Sequence, residues 1–303
     1  MSLPSPIAVS GATGLVGAAL CQSLEQQGVE VRRLVRSRPA ADSADIYWKP
    51  ADGEIDRDKL AGVQAVVHLA GEPIASGRWS PAKKQAIAAS RIEGTRLLAT
   101  TLAGLEPRPG VLVSASAVGF YGDRGSHPVD ENSPPGRGFL AETCVAWESE
   151  TRPAWEAGIR VVQTRTGVVL SPKGGALAMM LTPFKLGLGG VLGDGRQYMS
   201  WITLADMVAA IEHCLANEGV AGAVNAVSPH PVTNREFTKT LGRVLGRPTV
   251  MRVPAFALRA AVGEMADEAL LAGAAVQPTR LLETGYRFQD PALDPALRRV
   301  LGE

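Results

Sequence analysis

The segment GATGLVG, residues 11–17, spaces Gly11, Gly14 and Gly17 evenly, three positions apart. That spacing suits one kind of chemistry. Small residues allow a tight turn, let backbone amides approach an anion closely, and let the following helix pack hard against the strand before it. The positive end of that helix adds a field that favours phosphate. The loop therefore predicts a dinucleotide pyrophosphate held by Gly11, Thr13, Gly14, Leu15, Val16 and Gly17. The next strand ends in LVRSR. An acidic residue at such a strand end accepts hydrogen bonds from the ribose of NAD. Arg36, Ser37 and Arg38 stand there instead. A guanidinium pairs with a 2′-phosphate, so Arg36 and Ser37 predict NADP(H) as the cofactor. The competing reading is a solvated basic loop. Other side chains with chemical capacity are Glu72, Arg91, Tyr121, Glu131, Glu142, Cys144 and Glu148. Arg91 reads equally as a ligand for an anion and as a surface ion-pair partner. A buried free cysteine such as Cys144 is usually inert packing.

The elements that must position these residues alternate strictly. IAVS (7–10), VEVRRLVR (29–36), AVVHLAG (65–71), GVLVSAS (110–116) and IRVVQTRTGVVL (159–170) read as strands. Helical patterns lie between them at 15–28, 80–104 and 139–157. Alternation of this kind predicts a parallel sheet covered on both faces. Right-handed crossovers then give an α/β, doubly wound Rossmann sheet. Residues 1–170 make up this core, with returning elements from 202–228. Beyond 170 the glycine-rich run SPKGGALAMMLTPFKLGLGGVLGDGRQ (171–197) and helical segments near 206–216, 234–245 and 255–272 predict a smaller C-terminal substrate lobe. A ligand is expected in the cleft at the carboxyl ends of the strands.

Composition narrows the function classes. The chain has 303 residues, 46% hydrophobic and 20% charged, with a formal net charge of +1. No basic excess points to nucleic acid or to an anionic membrane. The opening MSLPSPIAVSGATG enters a strand pattern at once, so no signal peptide is expected. No run approaches the roughly 20 apolar residues of a membrane span. Cys21, Cys144 and Cys214 are odd in number and far apart, which argues against a disulfide framework and for a reducing cytoplasm. No Cys/His pair has metal-ligand spacing, so no metal is expected.

GATGLVG, HLAG (68–71), SAS (114–116) and YG (121–122) occur in an order that resembles the extended short-chain dehydrogenases/reductases, the superfamily containing nucleotide-sugar epimerases. The longer segments HLAGEPIASGRWSPAKKQAIAASRIEGTRLL, SAVGFYGDRG, FLAETCVAWE, SPKGGALAMML, LGDGRQYMSWI and RPTVMRVPAFALRAAVGEMADEALL are similar to its atypical "epimerase family" group, also labelled sugar-nucleotide epimerase or cell-division-inhibitor-like. The resemblance covers nearly the whole chain. It implies that Leu69, Ala70, Gly71 and Ser114 line the cofactor. It also implies a lobe over 171–246 and a C-terminal helical module over 247–303. A small-molecule substrate follows, with a nucleotide sugar among the candidates, as does pairing of two copies through the helices at 80–104 and 139–157.

The superfamily moves a hydride between nicotinamide and a carbon bearing oxygen. A serine and a tyrosine bind that oxygen, and a lysine four residues after the tyrosine lowers its pKa and anchors the nicotinamide ribose. Ser116 matches the serine. Glu148 matches a glutamate that follows the pair. Counting back from it gives Cys144 at the lysine and Leu140 at the tyrosine. Helical spacing places all three on one face. Tyr121 is then the best remaining proton donor, and Ser116 and Tyr121 are the expected catalytic contacts. The segment GDGRQYMSWITLAD, where relatives hold a substrate diphosphate with arginine, has Met199 at that position. Asp206 reads as the cap of the next helix, and Glu264, Asp267 and Glu268 read as a solvated helix face. Three functions remain open: an NADP(H)-dependent oxidoreductase or epimerase of atypical mechanism, a non-catalytic NADP(H)-binding sensor or interaction protein, and a nucleotide-sugar epimerase of ordinary chemistry whose tyrosine enters the site from elsewhere.

Overall fold

The computed structural model describes residues 2–302. Its central sheet contains β1 (Ile7–Ser10), β2 (Val31–Val35), β3 (Ile46–Lys49), β4 (Glu54–Ile55), β5 (Ala65–His68), β6 (Val111–Ala117), β7 (Arg160–Thr166) and β8 (Gly222–Ala226). The spatial order is β8-β7-β6-β5-β1-β2-β3-β4. All neighbours run parallel except β3 and β4. This is the doubly wound α/β sheet that the alternation predicts. The strand order reverses between β1 and β5, which opens a crevice at their carboxyl ends.

The strands are apolar on both faces because helices cover both. Ile7, Val9, Val67 and Val113 pack with Leu20 and Leu24 of α1 (Leu15–Gln26) and with more distant helix residues Met207 and Ile211. Ala8, Val66 and Leu112 pack on the other face with Leu98 and Leu102 of α2 (Pro81–Ala103). Ser80 starts α2 by accepting a hydrogen bond from the Lys83 amide, with Pro81 at the first helical position.

Two long predicted elements break. The pattern at 139–157 divides into α3 (Phe139–Ser149) and a short helix, Arg152–Glu156. The pattern at 159–170 divides at Gly167, after which Val168–Leu170 leaves the sheet to pair with Trp201–Thr203. Gly167 permits the departure: a Cβ there would lie 2.5 Å from the Ser200 carbonyl oxygen. β3 (IYWK) and β4 (EI) are too short to show as apolar runs in the sequence.

Beyond β7 the chain forms α4 (Gly175–Lys185), α5 (Leu204–Ala216) and α6 (Asn234–Val244). The tail then crosses several parts of the fold. Met251–Val253 pairs with Gly190–Leu192, and Ala275–Val276 pairs with Pro128–Val129. Between them α7 (Ala255–Val262) leads to a π-helical turn, Ala266–Leu270. Helix α8 (Leu293–Leu301) closes the chain against α6. Asp206 differs from its expected role. Thr203 caps α5, accepting from the Asp206 amide at 3.2 Å. The fully buried Asp206 carboxylate instead accepts from the Tyr286 hydroxyl and from the amides of Gln289 and Asp290, each at 2.9 Å, and so ties down the tail.

Candidate functional site: a phosphate cradle beside a sealed polar row

At the end of β1 the chain turns sharply through Gly11, whose φ is +67°. A Cβ on Gly11 would lie 2.8 Å from the Leu69 carbonyl carbon, and one on Gly17 would lie 2.1 Å from the Gly11 oxygen. Both contacts are to backbone and cannot yield easily, so these positions need glycine. Gly14 caps α1 without a side-chain hydrogen bond. The amides of Leu15, Val16 and Gly17 open the helix and have no carbonyl one turn back to bond. Thr13 and Gly14 are exposed beside them. The loop therefore presents unspent donors at the crevice, where a pyrophosphate would accept them. Arg36 and Ser37 are exposed at the end of β2. Arg38 pairs with Glu54 at 3.4 Å and lies over the Tyr47 ring, whereas Arg36 makes no ion pair among the described residues.

Strand register forms a row from Ser10 through His68 to Ser114. The Ser10 hydroxyl lies 2.6 Å from His68 Nδ1 and accepts from the amides of Leu69 and Ala70 at 3.1 and 3.3 Å, which fixes the chain beneath the crevice. His68 Nε2 lies 3.1 Å from the Thr95 hydroxyl, which also accepts from the Trp147 indole at 2.8 Å. Burial lowers the His68 pKa to about 4, so the ring is neutral at pH 7. Ser114 is buried within this row, and its hydroxyl does not open onto the crevice. Gly71 is exposed, next to the Arg91 guanidinium.

A second row crosses β6, β7 and β8: Ser116, Arg165 and Asn225. Glu148 of α3 accepts from the Ser116 hydroxyl at 2.6 Å and takes two bonds of 2.8 Å from Arg165. Arg165 also donates to the Tyr121 hydroxyl at 3.0 Å and lies 3.4 Å above the Phe120 ring. The Tyr121 hydroxyl donates to Asn225 Oδ1 at 2.7 Å. Glu131 completes the cluster by accepting from the Asn225 amide at 3.0 Å. The sequence expectation for Ser116 and Tyr121 is contact with a substrate oxygen, and here they meet a different geometry. Tyr121 is 0% exposed and Ser116 is 3% exposed. Burial also raises the Tyr121 pKa, against the pull of Arg165. The two residues belong to one network, but that network faces inward. Sequence reasoning missed Arg165 and Asn225. The available signal was an arginine near the end of a central strand, Arg160–Thr166, that is covered on both faces, a place that demands a buried partner.

Leu140 and Cys144 occupy the α3 face in the predicted register. Cys144 is buried, with Sγ 3.8 Å from the Ala117 carbonyl, and burial pushes its thiol up to about 11. It is no thiolate nucleophile at neutral pH. Leu140 packs with Phe139, Trp79, Ile87, Val262 and Met265. The tail thus covers the start of α3. Glu268 accepts from the Phe139 and Leu140 amides at 3.2 Å each and caps that helix. Glu264 pairs with Lys84 on α2 at 2.8 Å. These two carboxylates are tertiary contacts, which corrects their reading as a solvated face. Asp267 pairs with Arg259, on α7.

A parallel doubly wound sheet with a glycine cradle at its switch point defines a dinucleotide-binding fold of the short-chain dehydrogenase/reductase type. The chain belongs to the NAD dependent epimerase/dehydratase family, whose model matches residues 7–226. A domain of unknown function, DUF1731, matches residues 253–300. An epimerase family protein of Mycobacterium tuberculosis is 47% identical, covering 96% of each chain. The epimerase family protein SDR39U1 of Homo sapiens is 36% identical over 97% of this chain and 99% of its own. The crystal structure of human SDR39U1 (isoform 2) with NADPH superposes with a TM-score of 0.88 at 34% identity, covering 98% of this chain and 99% of that one. A nucleoside-diphosphate sugar epimerase from Corynebacterium glutamicum gives a TM-score of 0.82 at 35% identity, over 99% of this chain and 59% of that one. The cradle fits the group that the family name implies: it has space closed to any Cβ and amides open to phosphate.

Proposed function

We propose that this chain binds NADP(H) and acts with it as an oxidoreductase or epimerase on a small molecule, without a tyrosine–lysine pair on α3. One observation carries the reading: the Gly11–Gly17 cradle offers unspent amides beside an exposed Arg36 that has no ion-pair partner among the described residues. The amides of Leu15, Val16 and Gly17 hold the pyrophosphate. Arg36 and Ser37 hold the 2′-phosphate, and the backbone of residues 69–71 lines the nicotinamide half. NADPH in the human SDR39U1 structure supports the phosphate choice. When bound, the nicotinamide supplies a carbon that gives or takes a hydride. The likeness to the Corynebacterium nucleoside-diphosphate sugar epimerase supports a nucleotide sugar as substrate. Three free, buried cysteines support a reducing cytoplasm. Two copies paired through α2 and α3 complete the reading.

The second reading, a non-catalytic NADP(H) sensor, is favoured by the commitment of the Ser116 and Tyr121 hydroxyls to buried partners. The first test is a titration with NADPH and NADH at physiological salt. NADPH is expected to bind at least about tenfold tighter, and Arg36→Ala to remove most of that preference. Equal affinities in the wild type would overturn the 2′-phosphate assignment. Adding a metabolite pool to the NADPH complex then separates the two functions: an enzyme oxidises the cofactor, and a sensor does not.

A further inference from the structure

Most of the large hydrophobic side chains that this fold leaves in solvent are gathered in one place. Met179, Leu186, Leu188, Val250, Met251 and Phe256 are six of the nine among the described residues. They come from two segments far apart in sequence and joined in space. The strand Met251–Val253 pairs with Gly190–Leu192, and Arg247 Nε donates to the Lys185 carbonyl at 3.0 Å. A Cβ on Gly187 would meet Pro248 at 4.0 Å. Met179 and Leu186 are seven residues apart, on the side of α4 away from the buried Leu177, Leu181 and Phe184. Val250 is 87% exposed, Phe256 74% and Leu186 69%. Helix α7, which carries Phe256, buries none of its eight residues. Single exposed apolar residues need no explanation, but a gathered set marks a surface that something covers.

Charge is segregated in the same place. From Gly174 to Gly193 and from Phe237 to Gly263 the chain has six lysines and arginines and no aspartate or glutamate. The whole chain has 31 basic and 30 acidic residues, so its net charge of +1 conceals this local excess. Lys185, Arg247 and Arg252 are exposed among the apolar side chains. None of the three pairs with a carboxylate among the described residues, whereas Arg243 and Arg259 reach Asp294 and Asp267 in other segments.

We propose that this face is a docking surface for an anionic lipid bilayer, with its apolar side chains at the acyl-chain boundary and Lys185, Arg247 and Arg252 at the headgroup phosphates. Charge complementarity selects the occupant. A second copy of the chain would bring the same cations face to face. A protein partner has to match the face in shape to pack at interior density. Here the apolar groups project separately from a helix, a turn, a strand and a second helix. A lipid interface takes up such an outline without a matching shape. Each cation adds its own attraction to an anionic leaflet. No helix among the described residues is long and apolar enough to cross a membrane, so the contact is peripheral. The proposal stands apart from the NADP(H) reading.

The test sediments the full chain with vesicles of phosphatidylcholine alone and of phosphatidylcholine mixed with phosphatidylglycerol. The wild type is expected to bind the mixed vesicles at about 0.1 M salt, at least about fivefold more weakly at about 0.5 M, and the neutral vesicles hardly at all. Lys185→Glu/Arg252→Glu should weaken binding to the mixed vesicles at least about tenfold. Val250→Ser/Phe256→Ser should weaken it too, with the salt dependence kept. Trp155→Ser removes an aromatic residue 66% exposed elsewhere on the surface and should change nothing. Circular dichroism checks each fold, and Lys185→Gln/Arg252→Gln replaces the charge reversal if that variant does not fold. Equal binding to both vesicles, no binding to either, or an equal loss in Trp155→Ser would overturn the proposal. So would a vesicle-independent dimer that Val250→Ser/Phe256→Ser dissolves, which would give the face to a second copy.

Discussion

The cradle at the end of β1 and the polar row at the ends of β6–β8 lie on the same edge of one sheet, yet they treat polar groups in opposite ways. The cradle is built almost entirely from backbone. It excludes side chains, leaves the first amides of α1 without acceptors and exposes Thr13 and Gly14. The row is built from side chains, and it spends them all. Ser116, Glu148, Arg165, Tyr121, Asn225 and Glu131 satisfy one another, and α3 and the tail close over them. Ligand-binding capacity resides where donors are unspent, whereas a satisfied buried network contributes rigidity and specificity of packing. The residues richest in catalytic potential on paper are therefore the ones most fully occupied in the fold.

The sharpest way to break this contrast is to remove Arg165. Arg165→Met leaves the Glu148 carboxylate buried without its partner, and their side chains are only 6% and 10% exposed. Loss of one member of such a pair costs about 3–5 kcal/mol. Urea denaturation should show that loss, while NADPH affinity stays within about twofold for any protein that remains folded. The double variant Arg165→Met/Glu148→Gln should recover part of the stability. A large affinity loss in the folded single variant would join the two regions functionally. The next effect is the reverse. Gly17→Ala places a methyl 2.1 Å from the Gly11 oxygen and pushes α1 away from the turn. NADPH binding should weaken about a hundredfold, with a smaller overpacking cost in stability. Undiminished binding would show that the cradle does not hold the cofactor.

The two regions also differed in legibility. The cradle is local: β1, the turn and α1 are contiguous, so glycine spacing and one apolar run specify it. The edge strands β3 and β4 and the breaks at 150–151 and 167 depend on tertiary contacts, and a linear pattern does not encode them. The polar row is assembled from β6, β7, β8, α3 and the 121–131 loop. Glu148 is identifiable by register, but nothing local announces that Arg165 and Asn225 will meet it. Asp206 and Glu268 follow the same rule. Each sits where a helix cap or a solvated face is the local expectation, and each is captured by a segment far along the chain. Leu140 and Cys144 were legible as departures from a tyrosine and a lysine. Their burial under Val262 and Met265 and beside Arg91 was not.

Tyr121 tests the contrast at its finest. Its hydroxyl is the group most easily mistaken for a proton donor, because it is a tyrosine close to the expected cleft and next to a cation. A cation lowers a phenol's pKa, but burial acts more strongly here and the net shift is upward. Its hydrogen bond is already given to Asn225, and Arg165 occupies an acceptor position. Tyr121→Phe removes only the oxygen and leaves the Asn225 Oδ1 and one Arg165 donor unpaired. The expected loss is about 1–2 kcal/mol in stability, with NADPH affinity and any turnover unchanged at a temperature where the variant is folded. If turnover instead collapses while the urea midpoint holds, the hydroxyl reaches substrate in a conformation more open than this one. The polar row would then be a catalytic reserve released by opening, not a structural seal.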